Sequence, residues 1–309
     1  MPLRAYLSSI GDSLVIGEDD ECFKVHVHTD IPGHALTEAQ KYGTLELAKI
    51  ENMRTQRDDL AAGRQAHSTD DLDAVEEELE AQENAVAPAE KRYGFVAVCA
   101  GDGLADTFRA LGVDTIVSGG QTMNPSTEAI LKEVNRTPSE VVFILPNNKN
   151  IIMAANQAVD LVEDKQIIVI PTKTIPQGIT ALVNYIPDHS AEENKEQMMA
   201  EIENVKTGQV TYAVRDTEID GKTIKQNDFM GIGDKSILSV GTDLMATTLE
   251  MVDAMVDEDS AIVSIYFGSD SDEDSANELA AAIEEKYPDV EVEVNDGGQP
   301  IYYYVISVE

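Results

Sequence analysis

Apolar residues in this chain gather in short runs, and each run ends in a polar loop. Phe95–Ala100, Asp114–Val117, Val141–Leu145 and Gln166–Ile170 are such runs. Stretches like VVFIL and IIVI are continuous rather than alternating, the pattern of strands buried on both faces. Amphipathic segments such as Glu128–Val134 stand between them and read as helices. Strand, glycine loop and helix in repetition predict an α/β fold with a doubly wound parallel sheet over residues 93–190. The loops are Gly101-Asp102-Gly103, SGGQTMNPST at 118–127, PNNKN at 146–150 and PTKTIPQG at 171–178. In an open parallel sheet all four lie on the carboxyl edge, where ligands bind.

The flanking regions follow other patterns. Residues 191–309 begin with an acidic helix, Glu192–Val205, followed by strands at Gly208–Val214, Thr217–Ile219 and Lys222–Ile224. Asp220-Gly221 is a hairpin turn signal. Lys235–Val240, a helix at Thr242–Val256, Ala261–Phe267, a helix at Asp272–Tyr287, Val290–Val294 and Ile301–Val308 complete an α+β region, a mixed sheet with helices on one face. Residues 1–55 read as a partial β-α-β middle domain. Its strands are Ser13–Ile16, the alternating Cys22–Thr29, and Thr44–Ile50, with a helix over His34–Tyr42. That is too little for a core of its own, and Met-Pro-Leu-Arg opens in mid-pattern, as expected of a piece cut from a longer protein. Residues 56–92 read as an acidic linker.

The charge narrows the partners. The 309 residues carry 22 basic and 58 acidic side chains, a net charge of −36. That excludes a nucleic-acid or anionic-membrane surface, which needs clustered Lys and Arg. It suits a basic partner or a very soluble protein. No apolar run approaches the roughly 18 residues of a spanning helix, and no signal pattern opens the chain. Two cysteines, Cys22 and Cys99, make no disulfide framework, so the expected location is cytoplasmic.

The carboxyl-edge loops hold the candidate ligand-binding or docking residues: Asp102, Gln121, Thr122, Asn124, Ser126, Asn147, Asn148, Lys149, Asn150, Thr172, Thr174 and Gln177. They offer amides, hydroxyls and one cation for a carboxylate or phosphate, or they are ordinary turns and caps; Asp102 reads best as a helix N-cap. No histidine, activated cysteine or carboxylate pair joins them, so no catalytic residue is assigned. G-x-G-x-x-G and the P-loop are absent. A second constellation is His26 and His28, on one face of the same strand as Cys22. At about 3.3 Å per residue Cys22 lies about 13 Å from His26, too far to share one metal. His34 or Asp30 would have to supply a further ligand; otherwise these are two ordinary strand histidines.

Several segments together resemble a known family. FKVHVHTDIPG, IENMRTQ, AGDGLADTFRALGVDTIVSGGQTMNPST, LPNNKNIIMAANQA, IPTKTIPQGITAL and GGQPIYYYVISVE are similar to the middle and C-terminal regions of the catalytic component of bacterial fatty acid kinase. That family is dihydroxyacetone-kinase-like, with a DegV-like C-terminal region of two subdomains. The resemblance covers the chain outside the acidic linker. It implies a full protein that phosphorylates a fatty acid, using ATP and magnesium, on a DegV-type fatty-acid-binding partner. The family's nucleotide site is a separate helical domain with a DGDTG-type motif, which this chain lacks. The implied role here is non-catalytic: docking the partner, forming a homodimer or positioning the kinase domain. The resemblance also implies a zinc module in which an upstream cysteine joins His26 and His28; that cysteine would precede residue 1. A DegV-like fold further implies a fatty-acid-binding alternative, with Thr122 and Ser126 nearest to a carboxylate-gripping role.

Overall fold

A computed structural model describes residues 2–18, 23–45, 48, 50, 86–120, 124–162, 164–219 and 221–309. The chain divides into two compact units, one within residues 1–77 and the other within 78–309. Most of the expected linker falls outside the described residues.

In the first unit, helix α1 (Pro2–Ile10) leads into strand β1 (Gly11–Glu18), which pairs antiparallel with β2 (Phe23–Thr29). Helix α2 (Pro32–Ala39) follows. Alternation in β2 turns Val25 and Val27 onto Leu3, Leu7 and Ala35, the small core of this unit. The strand expected over 44–50 does not form at its described positions 44, 45, 48 and 50, which are in neither helix nor strand. Among the described residues, two strands and two helices build this core.

The second unit has two layered lobes. The first lobe is a parallel sheet of β3 (Lys91–Cys99), β4 (Thr115–Ser118), β5 (Ser139–Leu145) and β6 (Gln166–Val169), in the order β4-β3-β5-β6. Period-two alternation sends Tyr93, Phe95, Ala97 and Cys99 to one face and Val96 and Val98 to the other. Helices α3 (Asp102–Ala110), α6 (Ile175–Val183) and α7 (Ala191–Glu201) cover the first face. Helices α4 (Thr127–Arg136) and α5 (Ile152–Val159) cover the second. Both faces are dry, which is why these strands read as unbroken apolar runs.

The second lobe is a mixed sheet ordered β11-β10-β7-β14-β12-β13. Its strands are β7 (Lys206–Tyr212), β10 (Phe229–Ile232), β11 (Ile237–Gly241), β12 (Ile262–Phe267), β13 (Glu291–Asp296) and β14 (Tyr304–Val308). Only β12 and β13 run parallel. Helices α8 (Leu244–Asp253) and α9 (Glu273–Lys286) pack on one face, and a separate hairpin joins β8 (Thr217–Ile219) to β9 (Lys222–Ile224). Strand β10 escapes the sequence pattern, because Gly231 interrupts a run of only four residues.

The lobes share a core. Tyr266 and Val305 of the mixed sheet join the cluster of Phe95, Phe143 and Phe108. A glycine clasp adds to this contact. Leu104 N–H donates to Gly297 O at 3.0 Å, and a Cβ on Gly101 (φ +114°) would stand 2.4 Å from that same oxygen.

Candidate functional site

The strand order places a switch point between β3 and β5, whose following connections leave in opposite directions. The loops after these strands, with those after β4 and β6, make a crest along the carboxyl edge. Side-chain hydrogen bonds tie the loops together. Asn147, at φ +53°, donates from Nδ2 to Val98 O at 2.9 Å, and its backbone N–H donates to Thr172 Oγ1 at 3.0 Å. Asn148 Nδ2 donates to Gly120 O, and its Oδ1 accepts from Asn150 N–H at 2.9 Å. The crest is thus cross-braced from β4 to β6.

Much of the expected polar ring is consumed by this bracing. Thr172 is fully buried, and Asn147 nearly so. Among the described residues Asn147 Oδ1 has no hydrogen-bond partner; it rests against Gly178, where a Cβ would stand only 2.1 Å away. Gln177 donates to Ile202 O at 3.1 Å and accepts from Lys173 N–H at 2.7 Å. Ser126 and Thr174 cap α4 and α6, accepting from Ala129 N–H and Gln177 N–H. Thr174 Oγ1 also lies 2.8 Å from Thr207 Oγ1 of the second lobe. For Asp102 the structure corrects the expected cap. Gly101 is the cap of α3, and Asp102 is its first helical residue, exposed, where its charge faces the positive end of the helix. Gln121 and Thr122 lie outside the described residues.

Of the candidate residues, Asp102, Asn124, Ser126, Lys149 and Asn150 remain open to solvent, as does the outer face of α5. Lys149 makes no ion pair among the described residues. Met153, in the first turn of α5, is 72% exposed. The sequence pattern does not single out Met153, because a methionine in an apolar helix reads as core; only the packing shows that it faces outward.

Chemically, the crest offers amide, hydroxyl and ammonium groups in its described loops, with the carboxylate of Asp102 at one end. Cys99 lies beneath it, and burial pushes its thiol up to about 12, so it is an inert core residue. Burial also raises Asp234, beside Lys173 and the backbone N–H of Thr207, which pull the other way.

In the first unit His26 and His28 do share a face, with ring centroids 5.0 Å apart, and His28 Nδ1 lies 3.6 Å from Asp12 Oδ1. Among the described residues no group of three His, Cys, Asp or Glu side chains gathers in a metal-holding arrangement. Asp30 and His34 are not brought into one, and Cys22 lies outside the described residues. The described donors alone do not complete a four-ligand zinc site.

A family model for the C-terminal region of FakA-like fatty acid kinase proteins matches residues 94–309, and one for their middle domain matches residues 1–60. This chain belongs to the FakA-like fatty acid kinase family. It is 44% identical over 306 residues to Protein YloV of Bacillus subtilis, covering 99% of its own length and 53% of that protein. An uncharacterised Staphylococcus aureus USA300 protein matches at the same identity and coverage. The FakA-like chain therefore spans about half the length of the curated relatives it matches. Its fold is shared with DegV-family proteins. One from Ruminococcus gnavus, solved with vaccenic acid, aligns with a TM-score of 0.51 at 14% identity, covering 70% of this chain and 99% of that one. One from Thermus thermophilus, described as fatty-acid binding, aligns at 0.50 and 13%, covering 71% and 99%. Among the described residues of the FakA-like chain, no helix is long and apolar enough to cross a membrane.

Proposed function

We propose that this chain is the non-catalytic part of a fatty acid kinase. It docks a DegV-type fatty-acid-binding partner and positions an ATP- and magnesium-dependent kinase domain of the longer protein. Membership of the family over both its middle and C-terminal regions carries the reading. The chemistry of the crest supports it. Amides and hydroxyls there hold the loops to one another.

The test compares two proteins. The full-length protein, with ATP, magnesium and a fatty-acid-loaded DegV-type partner, is expected to form acyl phosphate. Residues 1–309 alone are expected to bind the partner and form none. Acyl phosphate made by residues 1–309 would overturn the reading.

A second reading, a fatty-acid-binding module in its own right, draws on the shared fold. An acyl chain needs a long apolar tunnel. Here the space where the lobes meet is occupied by Phe95 stacked on Phe143 at 5.5 Å, by Tyr185 edge-on at 4.9 Å, and by Tyr266 and Val305. Solvent extraction and mass spectrometry of the purified protein separate the readings. Docking predicts no stoichiometric fatty acid, and a full equivalent would favour the second.

A further inference from the structure

The connection from β13 to β14, residues 297–303, places two unfavourable features close together. Ile301 sits at φ +75°. A β-branched side chain crowds its own backbone in that left-handed region, so isoleucine is an outlier there. Gln299 is 1% exposed, and among the described residues its Oε1 has no hydrogen-bond partner. A buried acceptor without a donor has lost its water and has no bond to replace it. Contacts on both sides hold the connection in this state. Gly297 O accepts from Leu104 N–H of the first lobe at 3.0 Å, and Gln299 O accepts from Ser269 N–H at 3.0 Å. Gln299 Nε2 donates to Tyr266 O at 2.8 Å, and Ile301 O accepts from Thr211 Oγ1 at 2.9 Å. Tyr302 packs on the core that the lobes share, and Tyr303 on the core of the second lobe. Ile301 itself belongs to neither cluster.

We infer that residues 297–302 form a strap between the two lobes, held closed under strain and released as a unit. One movement relieves both unfavourable features. When the strap lifts, Ile301 returns to negative φ and Gln299 Oε1 meets water. Tyr303 stays in the sheet, through its N–H to Val210 O and its carbonyl to Gly268 N–H. Each hydrogen bond given up is replaced by one to water, so its net worth is small. The closed and lifted positions therefore lie nearer in free energy than the number of strap contacts suggests. That places the strap at the low-stability end of the unit. Small residues let it lie backbone against backbone. A Cβ on Gly103 would collide with Asp296 O, and one on Gly268 with Tyr302 O. Release parts Gly297 from α3, uncovers the first turn of that helix and withdraws Tyr302 from the shared core. The strap thus sets how firmly the lobes are held together. The inference is independent of the docking reading above.

Hydrogen–deuterium exchange of the full-length protein, read by mass spectrometry, tests this. The reporters are Leu104 N–H and Ser269 N–H, whose acceptors are strap carbonyls. In the parent they are expected to exchange about tenfold or more faster than the amides of β5, at a rate that mild urea leaves unchanged, as local opening requires. Ile301→Asn puts a residue that tolerates left-handed backbone at the strained position, and should slow both reporters about fivefold. Should that variant not fold, Ile301→Gly removes the same strain and takes its place. Gly103→Ala pushes Asp296 away, and should speed both reporters about fivefold while β5 is unchanged. Reporters as slow as β5 in the parent would overturn the inference, and so would reporters that relief of strain leaves unchanged or speeds. If Gly103→Ala speeds β5 equally, the connection unfolds with the core and is no strap.

Discussion

Asn147 shows how a residue chosen for ligand chemistry is spent on structure. Its left-handed backbone, φ +53°, suits Asn better than most residues. Its Nδ2 satisfies Val98 O, so its Oδ1 is forced toward Gly178. The pair makes a sign-reversal prediction. Alanine in a helix gains about 1 kcal/mol over glycine. At Gly178 that gain is outweighed, because the new Cβ would meet Asn147 Oδ1 at 2.1 Å, and such overpacking costs about 1–3 kcal/mol. Gly178→Ala should therefore destabilise the protein. Asn147→Ala should itself cost about 2 kcal/mol, by leaving Val98 O unpaired. In the Asn147→Ala background, Gly178→Ala should become stabilising, because the clash is gone. Urea denaturation of the four proteins measures this; a Gly178→Ala effect of the same sign in both backgrounds would refute the packing argument.

Among elements, helix α7 depends most visibly on its cap. Its apolar contacts are few beyond Met198, and its N-terminus is closed by a box in which Ser190 accepts from Glu193 N–H and Glu193 Oε2 accepts from Ser190 N–H at 2.8 Å. Hydrogen bonds from the Ser190 hydroxyl and then its backbone N–H hold the Glu193 carboxyl below its ordinary value. A depressed folded pKa gives stability that is present above the ordinary glutamate value, about 4.3, and lost as pH falls through the folded value. Ser190→Ala should cost about 1 kcal/mol near neutrality and flatten part of the acid limb of the stability profile. Thermal melts from neutral to acid pH test this, and an unchanged acid limb would count against the box as its source.

For the whole molecule, a charge of −36 sets the background. Like charges crowd α7, α9 and the loops beside them, and folding brings them closer together. Adding salt shortens the Debye length to about 10 Å at 0.1 M and weakens this repulsion. The melting temperature should rise by several degrees between about 0.02 and 0.3 M potassium chloride. A fall would mean that attractive pairs such as Lys91–Asp114 and Lys206–Asp257 dominate instead.

The periodicities of the chain are enough to predict the parallel sheet, its helices and the loops on its carboxyl edge. These are local properties: burial on both faces writes itself into consecutive residues of β3 and β5. The strand expected over 44–50, absent at its described positions, and the missed β10 mark the limit, because a few apolar residues do not distinguish strand from loop without a pairing partner. The fate of the polar crest is also illegible in the sequence. Whether Asn147, Thr172 and Gln177 face a ligand or one another depends on distances between loops 25 or more residues apart. Only the folded chain brings those donors and acceptors together, uses them up, and leaves Lys149 and Met153 facing outward.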